Sequence, residues 1–193
     1  MRADPDGTIH TARLVLRPIV ASDVADVLAL AGDWDVARML ADMPFPMTAD
    51  LAGMWVHSAA GDGSFAITLG GRVIGGLSMC PIAQDHLTVP AELGFWLGKP
   101  WWGHGFAREA AGASIALHLL TGNDEPVSSG HFADNPASGR VLQVLGFAAT
   151  GSAQQWCIAR QETVSAIRYV LPGRGCALPR GAKGAMSSSS MQS

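Results

Sequence analysis

The chain has 193 residues, 48% hydrophobic and 15% charged, enough for one sizeable core and too few for two ordinary domains. A formal charge of -3 gives no broad attraction to nucleic acid or an anionic membrane, so any anion site has to be local. Cys80, Cys157 and Cys176 are far apart and odd in number, fitting neither a disulfide framework nor paired zinc ligands, and are read as reduced thiols.

In chain order, "MRADPDGTIH" lacks signal-peptide character, and no run approaches the roughly 18 apolar residues of a membrane span, so a cytoplasmic protein is expected. "RLVLRPI" alternates as a first strand and is ended by Pro18. Ser22 or Asp23 is placed to cap a helix with Val24, Val27, Leu28 and Ala31 on one face. A second helix is expected around "WDVARMLADM", and a third after Thr48. "SFAITLGGRVIGGLSMCPI" reads as two strands joined at Gly70-Gly71, which tolerate the positive φ of a tight hairpin.

"AELGFWLG" is a further strand that runs straight into "KPWWGHGFAREAAG". From Phe106 to Leu120 the Ala- and Leu-rich sequence predicts a helix ending near Thr121-Gly122-Asn123. "VSSGHF" is a strand, "ASGRVLQVLGF" a short helix closed by Gly146, and "FAATGSAQQWCIAR" and residues 162–171 are two more strands. After Pro172 the composition has little to bury. Residues 1–172 are expected to form one domain, and residues 173–193 a tail without fixed structure.

A strand, a turn with Gly103 and Gly105, and a helix starting there present several N–H groups in one direction at a helix N-terminus. That is an anion cradle, and glycine lets a ligand approach the main chain closely. A glycine turn that merely opens a helix is the other reading. No Walker string occurs, and Arg108 stands where a dinucleotide fingerprint needs a small residue, which disfavours nucleoside triphosphate hydrolysis and redox chemistry. No His/Cys/Asp group has metal-ligand spacing, so no metal is expected.

Glu92, "WWGHGFAREA", "DNPAS" and "VLGF", in that order, resemble the GNAT superfamily of acyl-CoA N-acyltransferases, particularly its RimJ/RimL-like branch, over residues 10–172. The resemblance implies a single α/β domain of α+β type, with a mixed, mostly antiparallel central sheet flanked by helices. It implies acetyl-CoA as donor, its pyrophosphate on the amides of Trp102, Gly103, His104, Gly105, Phe106 and Ala107, with Arg108 one turn on. Backbone groups of Phe95, Trp96 and Leu97 would pair with the pantetheine arm like an added strand. Asn135 would hold a pantetheine amide, and Ser138 would approach the thiol.

Two departures matter. Pro100 replaces the family's usual Arg or Gln, and Leu142 falls where a tyrosine often serves as general acid, leaving Ser138 or water to protonate the thiolate. Glu92 is the candidate base for the amine proton, or alternatively an exposed strand carboxylate. Ser138 could instead cap a helix starting at Gly139, and Arg108 could pair with Glu109 rather than phosphate. The expected activity is acetyl transfer to a primary amine, protein N-terminus or small molecule, the latter including amino-sugar antibiotics. A non-catalytic acyl-CoA-binding regulator is the reading from another class. Neither nucleic acid nor membrane is an expected partner, and no oligomeric state can be read. Met39, Met43, Phe45, Met47, Met54 and Trp55 form either an acceptor wall or core.

Overall fold

A computed structural model describes residues 1–84, 87–122 and 124–173. The expected tail therefore lies outside the described residues, apart from Gly173, which is buried against the backbone of Asp124 and Glu125. The described strands form a nine-stranded sheet in the order β1-β2-β3-β4-β5-β6-β7-β9-β8. Short strands β1 (Arg2–Ala3) and β2 (Ile9–His10) precede β3 (Val15–Pro18), which pairs with β4 (Phe65–Leu69). The sequence gives no sign of β1 and β2, because two-residue strands carry no alternation. Between β3 and β4 come α1 (Val24–Ala31), α2 (Trp34–Ala37) and α3 (Ala49–Gly61). The hairpin from β4 to β5 (Arg72–Gln84) turns at Gly70 and Gly71, with φ of 57° and 82°.

Next come β6 (Leu87–Leu97), α4 (Phe106–Leu120), β7 (Val127–Phe132), α5 (Pro136–Val144), β8 (Ala148–Cys157) and β9 (Glu162–Leu171). All ladders are antiparallel except β6 with β7, where α4 supplies the crossover that a parallel pair requires. One face of the sheet packs Leu77, Leu93 and Tyr169 against Phe106, Ala110 and Ile115 of α4 and Leu142 of α5. The other packs Ala66, Trp96 and Phe132 against Val27 and Ala31 of α1 and Val56 and Ala59 of α3. Burying each large aliphatic side chain contributes on the order of 1.5–3 kcal/mol.

Three local expectations change. Neither Ser22 nor Asp23 caps α1 through its side chain; a 3-10 turn over Ala21–Asp23 leads into the helix instead. The Asp23 carboxylate is drawn to Arg17, with bonds of 2.8 and 2.7 Å, and accepts Val20 N–H at 3.0 Å. The helix around "WDVARMLADM" stops at Ala37, because the following carbonyls serve distant donors. Arg38 O accepts Arg160 Nε at 2.6 Å, Ala41 O accepts Ile158 N at 3.0 Å, and Leu40 O accepts the buried Cys157 thiol at 3.4 Å. Asn135, not Ser138, caps α5: its Oδ1 accepts Ser138 N–H at 3.3 Å, and Pro136 begins the helix. Thr48 caps α3 as expected, accepting Leu51 N–H at 3.3 Å.

Candidate active site

The parallel ladder between β6 and β7 consists of two pairs, Glu92 with Ser128 and Leu93 with Ser129. Ser129 Oγ donates to Leu93 O at 2.8 Å and Ser128 Oγ to Ala91 O at 3.3 Å, fastening this last paired stretch. Beyond it β6 stays with β5 as far as Leu97 while β7 follows β9, so the two strands part. A cleft of about 1170 Å³ occupies the gap. It is lined by Glu92 and residues 95–97 of β6, residues 102–108 of the loop and α4, and Asn135 and Ser138 of α5. Segments widely separated in the chain thus share one cavity.

At one end stands the N-terminus of α4. Gly103 and Gly105 both have φ of 78°, a left-handed conformation that a β-carbon disfavours, and Gly105 occupies the cap position with no side-chain partner for the first amides. Those amides carry the positive end of a four-turn helix. Trp102 Nε1 donates to Leu97 O at 2.7 Å and ties the loop to the strand end, while the Trp101 ring packs against Phe106 at 6.5 Å. Trp102 is 43% exposed, so Trp101 does the packing and Trp102 the anchoring. His104 is exposed, stacks on Phe106 at 5.6 Å and bonds Trp102 O through Nδ1 at 2.8 Å.

Glu109 does not pair with Arg108. It takes Arg13 Nε at 2.6 Å, Arg13 N at 2.8 Å and Thr11 Oγ1 at 2.6 Å. Although burial opposes ionisation, these bonds and the Arg13 charge hold its carboxyl below the usual range. Arg108 and Arg140 both line the cleft.

At the closed end of the gap, Glu92 is half-buried and meets Arg168 Nη1 of β9 at 3.3 Å. Sequence reasoning missed Arg168, for nothing along the chain marks two residues 76 positions apart as neighbours. His131 also lines the cleft, with Nδ1 2.7 Å from Phe132 O and Nε2 3.4 Å from Tyr169 OH. Leu142 is fully buried and has no proton to donate. The segment after α2 also lines the cleft, and its Arg38 lies 3.8 Å from the carboxylate of Asp134, which follows β7 and pairs with Arg160 at 2.9 Å. The Arg160 bond first, and the charges of Arg160 and Arg38 after it, keep Asp134 below the ordinary carboxylate range against the effect of burial.

The six residues proposed as wall or core divide. Met43 is fully buried core, Met47 and Trp55 pack against it, and Met39 lines the cleft. Phe45, 4.9 Å from the Trp34 ring, and Met54 are exposed. Among the described residues no group of three or more His, Cys, Asp or Glu is placed to hold a metal, and no helix is long and apolar enough to cross a membrane.

Residues 13–148 match the family model described as an acetyltransferase (GNAT) domain. A search of curated proteins by sequence gives no match. Among solved structures, a GNAT-family acetyltransferase from Bacillus anthracis is similar with a TM-score of 0.74 at 20% identity, covering 86% of this chain and 98% of that one. The microcin self-immunity acetyltransferase MccE, solved with acetyl-CoA and AMP, gives 0.75 at 17% identity, covering 88% and 97%. RimJ from Mycobacterium smegmatis, solved with a CoA disulfide, gives 0.72 at 17% identity, covering 89% and 90%.

Proposed function

Because the chain belongs to the GNAT acetyltransferase family, we propose that it transfers the acetyl group of acetyl-CoA to a primary amine by direct attack in a ternary complex. One observation carries this reading: the strands part beside a helix N-terminus whose glycines hold positive φ, within one cleft. A pyrophosphate suits the amides of residues 103–107, the expected Trp102 N–H being given instead to Lys99 O at 3.2 Å, and Arg108 and Arg140 add positive charge to the same cavity. The open edge of β6 at Phe95 suits an extended pantetheine arm; Leu97 O is already engaged by Trp102, and the backbone of Trp96 turns the other way, its carbonyl lying against Gly75 of β5. Asn135 uses Oδ1 as a helix cap, which leaves its amide N–H groups for a pantetheine carbonyl.

In the reaction the amine nitrogen attacks the thioester carbonyl carbon, Glu92 takes the amine proton directly or through water, and the C–S bond breaks. The departing thiolate takes a proton from water, directly or through the Ser138 hydroxyl, which regains its own from water; Leu142 has none to give. Alignment of two bound reactants supplies much of the rate, so no covalent nucleophile is required. The acceptor is a protein N-terminal amine in the RimJ/RimL-like reading and a small amine in the other.

The test is calorimetric titration with acetyl-CoA followed by thiol release on a panel of N-terminal peptides and small amines. Saturable binding with acceptor-dependent thiol release is expected. Binding without turnover on any amine would make the chain a non-catalytic acyl-CoA-binding regulator, and absence of binding would overturn the donor itself.

A glycine substitution locates the pyrophosphate. A β-carbon on Gly105 would meet only Arg13 Nη2 at 3.6 Å, so space is not the obstacle; φ of 78° is. Gly105→Val is expected to turn the helix-start amides away and weaken acetyl-CoA binding tenfold or more, about 1.4 kcal/mol. Gly63→Val is the control, since Gly63 has φ of 73° and open space but lies between α3 and β4. Equal acetyl-CoA affinity in the two folded variants would remove the pyrophosphate from this loop.

A further inference from the structure

A second, smaller hollow of about 230 Å³ opens off the cleft, on the sheet face that carries α1 and α3. Its floor is unusual for a sheet. Gly76 of β5 stands beside Trp96 of β6 and Ser78 beside Gly94, so two of the four positions have no side chain to fill the space. Trp55 of α3 meets Trp96 edge-on at 6.1 Å and 76°, forming an aromatic wall. Trp96 is 8% exposed, yet its indole N–H has no partner among the described residues. The edge bearing Nε1 lies over Gly76, 2.6 Å from where a β-carbon there would stand. A buried donor left unmatched is costly, and an acceptor brought to it by a ligand or a water would remove that cost.

The hollow is continuous with the cleft through Gly94, Trp96 and Ser78, which line both. Glu92, Gly94 and Trp96 stand at two-residue intervals along β6, so all three share one face of the strand. Anything seated over the glycines is therefore in line with the candidate base.

We propose that the hollow holds the body of the acceptor, and that this acceptor is a compact primary amine with one flat ring and an oxygen that accepts the Trp96 N–H. The proposal rests on the acetyltransferase reading and narrows it. The volume, below the roughly 300–1,000 Å³ typical of drug-sized sites, suits one ring on a short arm better than a multi-ring sugar. Aromatic walls favour a flat ring. The exposed carboxylate of Asp42 suits an amine arriving as its cation, which gives up its first proton to solvent water before attack and its second to Glu92.

The test compares 2-phenylethylamine, its three ring-hydroxylated isomers and a tetrapeptide with N-terminal alanine as acceptors, alongside calorimetric binding of acetyl-CoA. At least one hydroxylated isomer is expected to exceed both the parent amine and the peptide at least tenfold in kcat/KM. Trp96→Phe is expected to abolish the preference over the parent amine. Gly76→Ala fills the floor and is expected to lower kcat/KM for that isomer at least tenfold while acetyl-CoA binds as before. Ser58→Phe, on the exposed surface of α3 at the rim, makes the same block without touching the sheet, should Gly76→Ala fail to fold.

A peptide preference, or ring amines turned over equally by wild type and a folded blocked variant, would overturn the proposal while leaving acetyl transfer intact. Loss of acetyl-CoA binding in the wild type would overturn the acetyltransferase reading, and this one with it.

Discussion

Replacing Glu92 by glutamine is expected to lower kcat by about 10²- to 10⁴-fold, the usual contribution of a general base, with acetyl-CoA affinity unchanged. The substitution is nearly isosteric, and the amide oxygen can still accept Arg168 Nη1, which the carboxylate holds at 3.3 Å. What is lost is the ability to take a proton from the attacking amine. The acidic limb of the pH–rate profile, where activity rises as the base becomes available, is therefore expected to flatten or vanish. Ser138→Ala should leave that limb in place and slow thioester cleavage. Because Asn135 caps α5, the serine variant is not expected to carry the stability loss of a missing cap. Wild-type turnover and pH dependence in the Glu92 variant would dismiss it as the base.

Asp23→Ala is expected to cost about 3 kcal/mol of folding stability, the low end for stranding one partner of a buried ion pair. Asp23 is 4% exposed at its side chain and Arg17 30%, and two bonds join them. The pair fastens the end of β3 to the start of α1, and the Val20 N–H bond closes the turn between them. Burial by itself would raise the Asp23 pKa, but the Arg17 bonds, the Val20 N–H and the Arg17 charge outweigh it and leave the carboxyl below its ordinary value.

The sign follows. A depressed folded-state pKa contributes stability that is present above the ordinary carboxylate range and is lost as pH falls through the folded value. Urea unfolding of wild type and Asp23→Ala is therefore expected to show the full gap near neutrality and a narrowing gap in acid. A gap independent of pH would mean that the variant loses packing and not charge pairing.

The glycine-to-helix loop was legible because it is local. Gly103 and Gly105 need only their own φ angles, and α4 needs only its Ala- and Leu-rich run, so both fall at the expected residues. The Gly70-Gly71 hairpin and the Thr48 cap are local in the same sense. The errors arise where a distant group competes. Asp23 had the right type and place for a cap, but Arg17 binds a carboxylate more strongly than helix amides do. The "WDVARMLADM" helix ends early because donors from the β8–β9 region claim its carbonyls. Ser138 has the residue type of a cap for a helix starting at Gly139, but Pro136 starts the helix three residues sooner and hands that task to Asn135.

By itself the sequence determined the alternation of strands and helices, the glycine loop, and the ordered motifs that carry the family, since each depends on neighbouring residues and short-range conformational preference. Tertiary structure alone decided where β6 and β7 part, that Arg168 reaches Glu92, and that Gly76, Gly94 and the unmatched Trp96 indole share one hollow. These features depend on strand register and on which side chains are absent from a shared face. A register is fixed by packing of the whole sheet against both helical layers, a quantity with no local trace along the chain.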